Sequence, residues 1–288
     1  DRTRLNAAIW RYHPTKREFE VFSEGTSNPW GVDFNDVGDA LETACVSPHL
    51  YHMIQNGRYQ RQAGQHFNPW TYDDIKTIAR HRHWTGGQWN QADREKSDAI
   101  GGGHAHSGAM VYLGGAWPER YRGKLFMNNI HGARLNMDRF EPAGSGYVGD
   151  GEPDFLFAND TWSQIIALQY GPDGQVTFID WYDANQCHHN EFEKHDRENG
   201  RIFKVAYIGT DGEAISGPAD VAALTDAQLI DLLAHTNDWY VRHARRVLQE
   251  RAVAGSLESG TKPLLAERLA AAATPEKRLR ILWAMHVT

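Results

Sequence analysis

Two cysteines in 288 residues, Cys45 and Cys187, leave room for one disulfide at most and exclude a disulfide-stapled scaffold. Neither belongs to a CxxC or CxxCH pattern, so the chain itself offers no zinc ribbon and no c-type haem attachment site. Long apolar runs are lacking as well. No stretch approaches the roughly 18 residues of a membrane span, and no basic-then-apolar leader opens the chain. Excess positive charge is the third absence: 30 Lys and Arg face 37 Asp and Glu, for a formal charge of −7. That balance argues against nucleic acid as a principal partner, because phosphate binding asks for a basic surface. The acidity is concentrated early, with 21 basic against 29 acidic residues before Pro218 and nine against eight from there on. Such a surface suits solubility, cation binding or a basic partner.

What the chain does have is a globular 41% of hydrophobic residues, with ten Trp, fifteen His and 27 Gly. Trp and Gly in this quantity, without long apolar runs, suit a multi-stranded β architecture: turns demand Gly, and half-buried strands favour aromatics. The strands can be placed. Residues 7–12 and 19–22 flank a hairpin-length turn at 13–17, followed by strands at 30–34 and 40–44. The same device returns at 166–170 and 176–180 around Gly171-Pro-Asp-Gly174, and more loosely at 109–112 and 123–127. Each copy acquires a further strand, as at 50–54 and 201–207. Repeated units of this kind predict β-propeller blades, since one blade cannot bury both faces alone; a two-sheet sandwich is the competing arrangement. The long spacing from Gly38 to Gly123 predicts a large insertion at 56–103, rich in Gln, Asn, His, Arg and Gly and expected on a loop face.

After Gly209 the character changes. Residues 210–218 read as a linker. Thr225 is placed to cap a helix, and Asn237 or Asp238 a second; Leu264, Leu265 and Leu269 mark a third, and Leu279, Ile281 and Leu282 a fourth after Pro275. Paired helices of this length predict a HEAT-like segment over 219–288, which needs neighbours to bury its open end. Both ends of the chain read as cut.

Twelve of the fifteen histidines precede Gly209. His104 and His106 have alternate spacing, so on a strand both imidazoles point to one side. His131 follows a strand end, and His188 and His189 follow Asp180 and Asp183. Imidazoles and carboxylates at strand ends can ligate a metal or act as acid and base. The expected roles are catalysis for His104, His106, Asp180 and Asp183, cofactor binding for Asn28, Gly31 and His131, and metal ligation for His188 and His189. Gly101-Gly-Gly103 could let backbone approach a ligand, but it lacks the Walker pattern and a following helix. Trp70, Trp84, Trp89, Trp117 and Trp162 fall in loop-like sequence and could wall a sugar site.

Taken together, Ser27-Asn-Pro-Trp-Gly-Val-Asp-Phe34, Gly103-His-Ala-His-Ser-Gly108, Trp117-Pro-Glu-Arg-Tyr-Arg-Gly123, Asn129-Ile-His-Gly132, and Asp180-Trp-Tyr-Asp183 with Cys187-His-His189 resemble the PVC-type large membrane-bound dehydrogenases of bacteria. The resemblance implies a six-bladed-type β-propeller related to pyrroloquinoline-quinone sugar and sorbosone dehydrogenases, then HEAT-like repeats and a haem-binding CxxCH cytochrome domain. The present chain would hold later blades (residues 1–209) and first repeats (219–288). The implied activity is that of an oxidoreductase taking a sugar or other alcohol. Its implied cofactor is pyrroloquinoline quinone with calcium, its partner a cytochrome c domain or other electron acceptor carrying haem c beyond this chain, and its location extracytoplasmic. Quinone enzymes of this type carry an Arg-Asn-Pro-x-Gly-Leu motif. Asn28, Pro29 and Gly31 match it while Ser27 stands for the Arg, and Gln164 and Ile166 stand where two cofactor-facing arginines are expected. A non-catalytic carbohydrate- or protein-binding propeller with a helical docking surface is the alternative function.

Overall fold

The computed structural model describes residues 3–45, 48–67, 72–86, 94–185, 193, 195–196, 198–209 and 215–288. It is mainly β, with several antiparallel sheets followed by helices. Strands β1 (Ala8–His13) and β2 (Glu18–Glu24) form a hairpin, tied across its exposed face by Arg11 and Glu20 at 2.7 Å. Strands β3 (Pro29–Phe34), β4 (Ala40–Ala44) and β5 (Leu50–Met53) make a three-stranded meander. Before the next sheet comes a short helix, α1 (Arg94–Ala99). That sheet is β6 (His106–Val111), β7 (Leu125–Asn129) and β8 (Arg134–Ala143), with β9 (Gly146–Gly151) on the distal half of β8 and β10 (Leu156–Phe157) on its start. The last sheet is β11 (Ile165–Tyr170), β12 (Val176–Asp180) and β13 (Arg201–Val205).

The turns form where their residues demand. At Gly171-Pro-Asp-Gly174 the Gly171 N–H donates to the Gln175 carbonyl at 2.9 Å, and the Asp173 carboxylate accepts from Gln175 N–H at 3.1 Å. At the β3–β4 turn the Asn35 side chain accepts from the N–H groups of Val37 and Asp39.

First strands of consecutive sheets lie side by side. Val111 N–H donates to Asp33 at 2.8 Å, Thr43 Oγ1 to the Gly108 carbonyl at 2.9 Å, and Ser107 Oγ to the Ile165 carbonyl at 2.8 Å. A methyl group on Gly31 would sit under 3.0 Å from backbone atoms of Gly108 and Ala109, so only glycine lets β3 approach β6 this closely. Gly31 is level with Gly108 and Asp33 with Val111, and β11 follows in the same sense, so β3, β6 and β11 run in one direction. One core joins the three sheets, built from Leu41, Leu50, Met110, Phe126, Leu135, Leu168 and Phe178 among others.

Part of the insertion has a structural place of its own rather than a position on a loop face. Ile78 N–H donates to Leu50 of β5 at 3.2 Å, and Gly149 N–H of β9 donates back to Ile78 at 2.8 Å. Residues 75–83 are thus a strap laced between the edges of two sheets.

Four helices complete the fold: α2 (Asp226–Leu232), α3 (Asp238–Ala254), α4 (Thr261–Ala271) and α5 (Pro275–Val287). Thr225 and Gln228 form a capping box, Asn237 caps α3, and Thr274 caps α5 with Pro275 opening it. Their apolar faces meet at Leu229, Val241, Ala244, Leu248, Leu265 and Ile281. This layer docks on the far ends of the first strands. Asp238 N–H donates to Leu113 just past β6 at 3.0 Å, Asn237 Nδ2 donates to Gly171 in the β11–β12 turn at 2.9 Å, and Arg242 pairs with Asp33 of β3 at 3.0 Å. Among the described residues no helix is long and apolar enough to cross a membrane.

Candidate functional site

Strand register sets where the chemistry sits. Pro29 pairs with Ala44, His106 with Asn129, and Ile165 with Asp180. In each sheet the start of the first strand therefore lies beside the end of the second, and the three first strands run the same way. Of the expected site residues that are described, Asn28, His104, His106, His131, Asp180 and Asp183 lie at this end, opposite the helical layer.

They do not all have the same freedom. Asn28, exposed and at a positive φ of 56°, uses its carbonyl to accept the Cys45 N–H at 3.0 Å. Gly31 is committed to the β3–β6 contact. Asp180 is fully occupied by architecture: it accepts the Gln164 N–H at 2.6 Å and holds the Arg201 guanidinium, also at 2.6 Å. Asp183 accepts the Asn185 N–H at 2.8 Å and faces His195 at 3.3 Å. His188 and His189 lie outside the described residues, as do Cys187, Trp70 and Trp89. Trp117 stacks between Tyr112 and Phe155 in the core, whereas Trp162 is half-exposed beside Tyr182.

His104 and His131 come together, both buried, with ring centroids 4.6 Å apart and the Trp84 indole 4.8 Å from His104. Gly101, Gly102 and Gly103 all take positive φ and wrap protein rather than ligand: Asn129 Nδ2 donates to the carbonyls of Gly101 and Gly103 at 2.9 and 3.0 Å. His106, on the opening residue of β6, turns towards a second group. Its Nε2 is 2.9 Å from His83 Nδ1, and its ring stacks on His49 at 4.6 Å.

That second group is the most concentrated chemistry in the described chain, and sequence reasoning missed it. His49 from the β4–β5 turn, His81 and His83 from the strap, and Asp138 from β8 bring four potential ligand atoms within 4.8 Å of one another. All three Nε2 atoms point at one carboxylate, at 2.9 Å for His49, 3.1 Å for His81 and 3.7 Å for His83. Burial works against the charge on Asp138, yet hydrogen bonds from His49 and His81 hold it far below the usual carboxylate range. Burial, reinforced by His49, pushes His83 down to about 3 and His106 well below its ordinary value, so both are neutral near pH 7. His81 is raised: burial opposes its charge, but the Asp138 hydrogen bond and charge outweigh that. A buried carboxylate ringed by imidazoles is suited to holding a cation or a proton, not to nucleophilic attack.

One signal for this group was in the sequence. His81-Arg-His83 repeats the alternate spacing of His104-Ala-His106, but it sits in the stretch read as insertion. Asp138 gave no signal, because β8 is buried on both faces there and Asn136 and Asp138 are as covered as Leu135 and Met137.

Comparisons with known proteins come to three findings. No curated protein sequence matches the chain. Solved structures similar to it include an oxidoreductase (glucose dehydrogenase) from Thermus thermophilus, 16% identical over 64% of this chain and 47% of that one, with a TM-score of 0.40. The PQQ-bound aldose sugar dehydrogenase of Streptomyces coelicolor is 16% identical over 64% and 44%, with a TM-score of 0.37. A glucose dehydrogenase is 16% identical over 67% and 48%, with a TM-score of 0.40. The chain spans less than half the length of each of these. Finally, the model of a family described as "Domain of unknown function (DUF7133)" matches residues 1–208. That match takes in all thirteen strands of the described residues and most of the chain, which therefore belongs to the DUF7133 family.

Proposed function

We propose that this chain is part of a sugar-dehydrogenase-type β-propeller, residues 1–209, carrying a HEAT-like helical layer, residues 219–288, and that it oxidises a sugar or other alcohol at the rim where β3, β6 and β11 begin. The observation that carries this reading is the common end shared by those strands. It gathers His104, His106 and His131 on the side away from the helices and sets Trp84 beside them. His104 and His131 are the candidate proton acceptors for a substrate hydroxyl, because imidazole is the side chain most often used as a general base. Trp84 offers a flat apolar face of the kind on which sugar rings stack. Asp180 and Asp183, tied to Arg201 and to loop N–H groups, hold the rim in shape.

The cofactor implied by the resemblance fits these residues poorly. A quinone bearing carboxylates asks for cations, and the positions in question supply none. Ser27 Oγ accepts the Gln62 N–H at 2.6 Å; Gln164 Nε2 donates to the carbonyls of Asp183 and Asn185; Ile166 is apolar. No step is therefore routed through pyrroloquinoline quinone or calcium. Electrons would leave for an acceptor outside this chain, with a haem c domain in an extracytoplasmic setting as the expected partner. The same missing cations favour a second reading, a carbohydrate-binding propeller without turnover.

One assay separates the two. Full-length protein is given aldoses and simple alcohols with an artificial electron acceptor. Catalysis predicts substrate-dependent acceptor reduction that falls about 100-fold in kcat in His104→Asn or His131→Asn, the usual scale for losing a general base. Sugar binding without acceptor reduction in the wild type would establish the binding module instead.

A further inference from the structure

We propose that His49, His81, His83 and Asp138 form a site for one divalent first-row transition ion of the zinc type, which staples the strap to the sheets on either side of it. The inference is independent of the dehydrogenase reading and rests on the side chains alone.

The donors arrive from three separate pieces of chain: the turn before β5, the strap at 75–83, and the middle of β8. Nothing local makes them converge. Four ligands placed about 2.1 Å from a tetrahedral zinc ion lie about 3.4 Å from one another. The Nε2-to-carboxylate separations of 2.9, 3.1 and 3.7 Å bracket that edge. The third is too long for a hydrogen bond but suits two ligands on one ion. Three imidazole nitrogens and one oxygen match zinc, iron, cobalt or copper. Calcium and magnesium, which take oxygen donors, do not match.

One of the three imidazoles, His83, has the outer partner that a metal-ligating histidine usually has. With His83 Nδ1–H donating to His106 Nε2, the His83 Nε2 lone pair is left facing the centre, the tautomer a ligand needs. The side chains of His49, His83 and Asp138 are all buried, while that of His81 is 21% exposed and marks the way in. The Nδ1 atoms of His49, His81 and His106, all buried, have no hydrogen-bond partner. An apolar filling of the same volume would remove these unpaired atoms, so packing alone gives no reason for four imidazoles here.

The test uses the 288-residue chain stripped with a chelator, then titrated with Zn²⁺ and separately with Co²⁺. Expected are one ion per chain, a rise in Tm, and the intense visible bands of four-coordinate Co²⁺. Asp138→Asn and His83→Gln should each weaken Zn²⁺ binding at least 100-fold. His106→Gln should weaken it by about 10–100-fold, the cost of losing an outer partner. His243→Gln, in the helical layer, should change nothing. Should Asp138→Asn fail to fold, His81→Gln at the partly exposed ligand takes its place, and the wild-type Co²⁺ spectrum needs no variant. A weak six-coordinate Co²⁺ spectrum, or Zn²⁺ affinity unchanged in folded ligand variants, would overturn the proposal.

Discussion

Glu42 lies in the middle of β4, wholly buried, with the Thr26 hydroxyl donating to it at 3.2 Å and Oε2 without a partner. Burial pushes its carboxyl up to about 8, so it is held largely as the neutral acid at pH 7. Its folded value lies above the unfolded 4.5, so the stability it allows is complete below pH 4.5 and is lost as pH rises towards 8. Glu42→Gln should therefore be more stable than the wild type at pH 9, by about 5 kcal/mol, with little difference at pH 4. Denaturant melts of both proteins at the two pH values check this, and equal pH dependence in the two would contradict it. The sequence pattern around Glu42 reads as an alternating strand. In fact all five residues of β4 are buried, because the neighbouring sheet covers the face that alternation assigns to water. Periodicity reports one strand and is blind to a second layer. The same blindness hid Asp138, whereas the histidines of the rim were legible because their spacing, not their burial, carried the signal.

At the scale of elements, the turns and the two-residue period were enough to place ten of the strands, since those features depend only on local chain chemistry. The β8–β9 hairpin was not placed. It carries Pro142, which argues against a strand, yet Pro142 pairs with Tyr147 near the exposed tip of the hairpin, where a lost N–H matters little. The strap at 75–83 was read as part of an insertion because the spacing from Gly38 to Gly123 is too long for one blade. Its backbone is satisfied by the edges of two sheets that no local pattern reveals. The helix cap at Thr225 was legible, and the second was narrowed to Asn237 or Asp238, of which Asn237 caps, since capping is a property of a few adjacent residues. The contact between β3 and β6 gives the element-scale prediction. Gly31→Ala drives its methyl into backbone that has no rotamer to give, so the sheets must part. A loss of about 3 kcal/mol in urea melts is expected, the upper range for overpacking; a loss under about 0.5 kcal/mol would mean that the two strands are not pressed together.

The whole molecule has two unlike ends. One is covered by the helical layer, locked on through Asp238, Asn237 and Arg242. The other gathers the imidazoles of His104, His106 and His131, with the His49, His81, His83 and Asp138 group beside them through His106. This polarity follows from strand direction: when first strands run the same way, every sheet puts its turns of one kind on one side. It could be anticipated from the repeat of hairpin-plus-strand units, but which histidines would meet could not, because that depends on the strap. Titration of an aldose such as glucose into protein labelled with ¹⁵N at histidine tests the location of the site most directly. Shifts confined to the imidazoles of His104, His106 and His131, with His235, His243 and His286 of the helical layer unmoved, are the predicted result. Shifts at the helical histidines, or none at all with sugar in large excess, would contradict it.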